Sequence, residues 1–224
     1  MSSASRITDH ESVKDFSDNG RAVRLAGTKL GSRPHICAFF NTDDDEYEVL
    51  LPFIREGFEL GEKACHTVAP QHCAEHLARL SSAGIDHHAL QSRGQFELRD
   101  WKDTHLSEPG FDTTRTLSIW EGIAKVGRNQ GFSLTRFITH MEWFFETSMD
   151  ANDLLEYEAR TNDIWMRGEG PVNPVICTYD LRRFSGEIII NVLRTHPLVV
   201  IGGILQENPF FIPPEEFLKT LRPK

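Results

Sequence analysis

Short apolar runs alternate along this chain with longer segments whose apolar residues recur every three or four positions. The run His35–Phe40 reads as a strand. Thr42, with Asp45 three residues on, is a capping pair for a helix whose stripe is Val49, Leu50, Phe53, Ile54 and Phe58. That helix stops at Gly61 and is expected to bend at Pro52 near its first turns. Residues 64–69 read as a short strand; Cys73, Leu77 and Leu80 then mark a helix ending at Gly84. A brief segment around Ala89 leads to Gly94, and residues 95–101 alternate as a strand should. Asp112 caps a helix carrying Leu117, Trp120, Ile123 and Val126, which stops at Gly131.

The rhythm repeats in the second half. Thr135–His140 is a strand, 152–166 a helix and 172–179 a strand, and Ser185 caps a helix with Ile188, Ile189, Val192 and Leu193 on one stripe. Leu198–Ile201 is a further strand, and Pro213-Pro214 opens a terminal helix through Leu218. Strands alternating with helices in this way predict an α/β layered fold, with a mostly parallel central sheet, helices on both faces and right-handed crossovers. The core begins near Arg33 and 31–224 form one domain; residues 1–30, polar and rich in Ser, Asp and Arg, read as a flexible N-terminal tail.

At 224 residues the chain suits one good core, and 39% hydrophobic with 25% charged residues suggests neither disorder nor membrane insertion. A formal charge of -9 without a basic stripe argues against direct nucleic-acid binding, so any DNA contact belongs to a partner. The apolar run 197–205 is far short of a membrane span and no apolar signal-peptide core opens the chain, so the expected location is cytoplasmic. The four cysteines, Cys37, Cys65, Cys73 and Cys177, form no C-x-x-C pair and read as reduced thiols.

One motif is missing at an informative place. Where a strand runs into a helix, a P-loop would cradle phosphate with backbone N–H groups and a lysine. Here Asn41-Thr42 is followed by Asp43-Asp44-Asp45-Glu46, which would repel a polyphosphate. No nucleophile elbow, H-E-x-x-H or dinucleotide G-x-G-x-x-G occurs either. The sequence therefore identifies no enzyme, and no nucleotide cofactor is expected.

Several segments together resemble the MEDS family, the methanogen/methylotroph DcmR-like sensory domain. They are His35-Ile36-Cys37-Ala38-Phe39-Phe40, Leu51-Pro52-Phe53 through Gly61-Glu62-Lys63, Ala83-Gly84-Ile85-Asp86, Met141-Glu142-Trp143 and Glu156-Tyr157-Glu158-Ala159-Arg160. Cys177-Thr178-Tyr179-Asp180 with Phe184-Ser185, and Leu193-Arg194-Thr195-His196-Pro197 leading to Gln206-Glu207-Asn208-Pro209-Phe210, complete the match over roughly 33–218. The resemblance implies a RecA/KaiC-like fold without the Walker A loop, and a signal-input module for small hydrocarbon-derived ligands. Such domains occur alone or joined to kinase, helix-turn-helix or anti-anti-sigma modules. It also implies a signalling partner, whether a kinase, an anti-sigma factor or a transcription regulator.

In a parallel α/β sheet, ligands collect beyond the carboxyl ends of the strands. Asn41, Glu142 and Asp180 each end an apolar run, with Phe40, Trp143 and Tyr179 as aromatic walls, so these six are candidate ligand-binding residues. Glu158 and Arg194 join them; Glu142 is expected to accept a hydrogen bond from a ligand or from Arg194. The alternative is that such polar residues cap the following helices, while Glu156 and Arg160 have the spacing of a surface ion pair. His35 and His196 open strands and so stand at the opposite edge, where each is expected to be satisfied by backbone. If they approach Cys37 and Cys177, a zinc, iron or haem site becomes possible, because imidazole and thiolate suit those ions. His72 and His76, four apart on one helix, also have ligand spacing but lack a second ligand pair. Three functions stay open: a small-ligand sensor, a ligand-free interaction module related to ATPases in a kinase or sigma-factor pathway, and a metal or haem sensor. A homo-oligomer is possible, since Pro209-Phe210-Phe211-Ile212-Pro213 would be a costly exposed surface.

Overall fold

The computed structural model describes residues 23–31, 34–167 and 172–221. A small hairpin, β1 (Arg24–Leu25) and β2 (Thr28–Lys29), precedes β3 (His35–Phe40), α1 (Asp43–Glu59), β4 (Lys63–Val68), α2 (Cys73–Ser82) and α3 (His87–Ser92). Then come β5 (Phe96–Asp100), α4 (Thr113–Asn129), β6 (Thr135–His140), α5 (Ala151–Arg167) and β7 (Val175–Asp180). The described chain ends with α6 (Gly186–Leu193), β8 (Leu198–Ile201), β9 (Ile204–Glu207) and α7 (Pro214–Leu221).

Seven strands form one sheet in the order β5-β4-β6-β7-β3-β8-β9, parallel except for β9, which returns antiparallel to β8. The expected α/β layered architecture is present. Both faces are covered, which is why β3 can be apolar and buried along its whole length. Alternation divides the strands between two cores. Ile36, Ala38, Phe40, Ile138 and Ile176 pack with Leu50, Phe53 and Ile54 of α1 and with Leu80 of α2. Cys37, Phe39, Phe137, Cys177 and Tyr179 face α4 and α5, through Trp120, Ile123, Leu154 and Tyr157.

The helix starts follow the expected chemistry. Thr42 Oγ1 accepts the Asp45 N–H at 3.1 Å, Asp112 Oδ1 that of Arg115 at 2.7 Å, and Ser185 Oγ that of Ile188 at 3.3 Å. Helix α1 runs unbroken through Pro52. Pro52 and Glu48 lie on its exposed face, so the carbonyl that lacks its N–H partner faces water.

At the amino ends of β4 and β6, Arg136 is fully buried. Its Nε donates to Glu62 at 2.5 Å, Nη2 to Glu56 at 3.1 Å and Nη1 to the Phe53 carbonyl at 2.6 Å. Gly57 leaves the room: a Cβ there would sit 2.7 Å from Arg136 Cδ and Nε.

Two hairpins go beyond the sequence expectations. Of the expected tail, residues 1–22 lie outside the described residues, as does Arg33, but residues 24–29 form the β1–β2 hairpin, with Leu25 and Leu30 buried against the α1 core. Strand β9 follows β8 through Gly202-Gly203, whose φ angles of 57° and 74° need glycine. No disulfide joins the cysteines; Cys37, Cys65 and Cys177 are buried and Cys73 is half-buried. Among the described residues no helix is long and apolar enough to cross a membrane.

Candidate functional site

Beyond the carboxyl ends of β3, β4, β6 and β7 lies a cleft of about 160 Å³. The first turn of α1 contributes Asp43, Glu46 and Tyr47, the turn after β6 Glu142, and the end of β7 Asp180, Arg182 and Arg183; Trp101 and Ala69 supply apolar wall. This is the place where a P-loop relative would hold phosphate. The positive end of the α1 dipole faces its own carboxylates instead.

Much of that charge is internally matched. Asp180 accepts two hydrogen bonds from the Arg182 guanidinium, both 2.8 Å, and Arg182 also reaches Asp43 at 3.2 Å. Burial opposes ionisation of Asp180, but these bonds prevail and hold its carboxyl below the usual value. Asp44 pairs with Arg79 at 2.7 Å. His140 Nε2 lies 3.0 Å from Glu46 Oε1. Burial alone would lower the pKa of His140, but the Glu46 carboxylate outweighs it, and the value rises to about 9. Behind this rim, His76 Nδ1 is 2.6 Å from the Tyr47 hydroxyl and its Nε2 is 2.9 Å from His66 Nδ1. Burial drops the pKa of His66 to about 3 and that of His76 well below its ordinary value.

A second polar cluster is sealed beneath α5. The Glu158 carboxylate, fully buried, meets His35 Nε2 at 3.3 Å, His196 Nε2 at 3.3 Å and Cys177 Sγ at 3.7 Å through Oε2, while Oε1 accepts from the Tyr179 hydroxyl at 2.5 Å. His35 Nε2 and Cys177 Sγ are 3.5 Å apart. The donor atoms of His35, Glu158, Cys177 and His196 all lie within 4.8 Å of one another. Burial opposes charge on Glu158, yet the neighbouring imidazoles, His196 foremost, pull its pKa far below the carboxylate range. Burial, and then His196, lowers His35 to about 4.

The sequence candidates separate between these two places. Glu142 and Asp180 line the cleft, where Glu142 Oε1 accepts the Asp180 N–H at 3.0 Å and ties the turn after β6 to the end of β7. Asn41 is exposed beside the cleft, and Phe40 is buried on the α1 side. Trp143 does not wall the rim: it is wholly buried, stacked between His105 at 4.4 Å and Phe111 at 4.8 Å. Tyr179 turns to Glu158 because a residue one step before the strand end alternates into the α5 core. Arg194 stands apart from Glu142; its guanidinium bonds Asn191 Oδ1 at 3.1 Å and lies 5.2 Å from the Phe217 ring centre.

His35, Cys177 and His196 converge, but through side-chain Glu158 and not through backbone alone. Cys37, the strand partner of Cys177, is left aside with its thiol 3.7 Å from the Leu198 carbonyl. His72 is half exposed at the cleft while His76 points inward, so these two do not share an ion. Glu156 and Arg160 form the expected surface pair at 2.7 Å. Cleft residues missed from the sequence include His140, Arg182, Arg183 and Tyr47. His140 is the last residue of β6, and Arg182 and Arg183 stand two and three residues past the end of β7, so reading three residues past that strand would have found both.

The family model described as the MEDS, methanogen/methylotroph, DcmR sensory domain matches residues 34–197. The transcriptional repressor DcmR of Methylorubrum extorquens (strain DSM 6343 / CIP 106787 / DM4) is 25% identical over 187 residues, covering 81% of this chain and 65% of that protein. This chain thus spans about two thirds of the repressor's length. Among solved structures, the KaiC-like protein PH0186 of Pyrococcus horikoshii OT3 superposes with a TM-score of 0.57 at 14% identity, over 78% of this chain and 73% of that one. The central fold is thus KaiC-like.

Proposed function

The chain belongs to the MEDS family of sensory domains, and we propose that it is a signal-input module that binds a small organic molecule in the strand-end cleft and passes its occupancy to a transcription-regulating partner. The cleft carries this reading. It lies where α/β folds present ligands, it is lined with carboxylates that repel polyphosphate, and it is of a size for a handful of non-hydrogen atoms. Tyr47, Ala69 and Trp101 suit a short hydrocarbon body, while Glu142 and Asp180 suit a hydroxyl or amine at its end. The likeness to a transcriptional repressor supports the regulatory output.

A switch needs a ligand that favours one arrangement over another, by about 1–3 kcal/mol in typical couplings. The Glu142–Asp180 bond joins two loops that carry exposed Phe145 and Leu181, so a ligand competing for Glu142 alters surface a partner can read. Ile201 and Ile204 on the β8–β9 edge add further apolar surface for a regulator or a second copy.

The test is a thermal-shift and calorimetric screen of one- to four-carbon alcohols, aldehydes and amines, with native mass spectrometry of the freshly purified protein. At least one class should raise the melting temperature saturably, and Glu142→Gln and Asp180→Asn should each abolish the shift. A flat response across all classes, with nothing released from the purified protein, would instead favour a ligand-free interaction module, whose rim is satisfied by its own ion pairs.

A further inference from the structure

The sealed cluster poses a hydrogen-bonding problem that can be solved atom by atom. Asn162 Nδ2 donates to the carbonyls of Glu158, Ala159 and Thr195, so its Oδ1 is an acceptor, and His35 Nδ1, 3.1 Å away, must carry the proton. His196 Nδ1 is 3.0 Å from the Val192 carbonyl, a pure acceptor, and 2.9 Å from the Thr195 hydroxyl, whose own proton goes to the same carbonyl. It too is protonated at Nδ1. In the neutral rings both Nε2 atoms therefore present lone pairs, and both point at Glu158 Oε2, itself an acceptor. The single thiol proton of Cys177 can serve only one of them, and His196 Nε2 is buried without a hydrogen-bond partner.

Distance decides what belongs between these atoms. A proton shared by an imidazolium and a carboxylate would draw N and O to about 2.7–2.9 Å, yet both contacts are 3.3 Å. Four ligands around zinc at about 2.0–2.3 Å stand about 3.3–3.8 Å from one another along the edges of the tetrahedron. Four of the cluster's six donor separations are 3.3, 3.3, 3.5 and 3.7 Å, and all six are within 4.8 Å. We infer that His35 Nε2, Glu158 Oε2, Cys177 Sγ and His196 Nε2 are the ligands of a buried, four-coordinate divalent metal site of the zinc class.

The surroundings fit that assignment. Asn162 and the Val192 carbonyl fix the two imidazoles in the tautomer that ligation requires, and the Tyr179 hydroxyl holds the second carboxylate oxygen. Burial keeps Cys177 a thiol by pushing its pKa well up; on binding, the ion displaces that proton to solvent and takes the thiolate. Haem is a poor match, because a porphyrin supplies four nitrogens itself and needs protein ligands only on its two opposite sides. Since β3, α5, β7 and the turn before β8 each give one ligand, the ion would fasten the helix layer to the sheet. This inference is independent of what the rim binds.

The full chain, unfolded with chelator and refolded with or without cobalt(II), gives the test. One equivalent should be taken up, with a near-ultraviolet thiolate-to-cobalt band, intense visible bands of tetrahedral cobalt and a raised melting temperature, and zinc should displace it. Cys177→Ser should lose the thiolate band, and Tyr179→Phe should weaken binding about 10–100-fold. Asp180→Asn, at the rim, should leave uptake and spectrum unchanged. A folded wild-type chain that takes up no metal overturns the site, as does uptake with the same thiolate band in Cys177→Ser. Because the wild-type titration stands alone, a variant that fails to fold does not rescue the inference.

Discussion

The rim and the sealed cluster hold similar residues, acids beside histidines, and treat them oppositely. At the rim His140 keeps its proton, with a pKa of about 9 set by Glu46, and Asp180 is bridged by an arginine more than half exposed. Under α5 the acid is ionised but His35 is neutral, at about 4, and every group is shut from water. The difference is the direction from which compensation comes. At an open edge water and mobile arginines share the charge, so each pair is cheap and replaceable. In the interior each polar atom depends on one fixed neighbour, so the set stands or falls together.

The largest effect should follow from breaking the sealed set. Glu158→Ala leaves the Tyr179 hydroxyl and the Cys177 thiol without their acceptor and takes the carboxylate from between the two imidazoles, and should lower stability by about 3–5 kcal/mol in urea titrations. Glu158→Gln, which retains shape and a carbonyl acceptor, should lose less. Another buried ionic group provides an independent check: Gly57→Ala drives a methyl into Arg136 and should cost about 1–3 kcal/mol. Combining Gly57→Ala with a conservative change in the sealed cluster should give additive losses, since the two groups share no partner.

Acidity separates the two regions more gently. His66 and His105, at about 3, stay neutral when folded, whereas their unfolded counterparts take up protons near 6.5. Stability should therefore fall as pH drops below about 6.5 towards 4. His140 works the other way. Its raised pKa contributes fully below about 6.5 and is lost as pH climbs through about 9, so the alkaline arm of the stability curve should flatten in Glu46→Gln, by on the order of 1–2 kcal/mol. The smallest effect belongs to Arg182→Ala. Its guanidinium is solvent-exposed, so the unfolding midpoint should stay within error, while ligand response at the rim changes.

Pattern made the architecture legible. Buried strands covered on both faces are unbroken apolar runs, and Thr42, Asp112 and Ser185 announce their helices by side-chain capping chemistry that is local in sequence. The hairpins were harder, although Gly202-Gly203 between two short apolar-rich runs is a two-residue hairpin signal. The β1–β2 hairpin carries only Leu25 and Leu30 as apolar anchors, too few to stand out from a polar stretch.

The sequence by itself determined the layered α/β order, the acidic entry to α1, and the set of histidines and cysteines worth watching. It also suggested the sensory family. Only the tertiary structure decided which of those side chains meet. Cys177 and His35 are 142 positions apart, and Glu158 reaches both from a helix whose facing residue no local rule selects. Tyr179 faces Glu158 and Trp143 lies in an aromatic stack, where a reading confined to strand ends would leave both at the rim. Periodicity is a property of neighbours in sequence, and it fixes which face of an element is buried. Register across β3, β7 and β8, and the seat of α5 upon them, are properties of packing, and they fix which buried atoms touch.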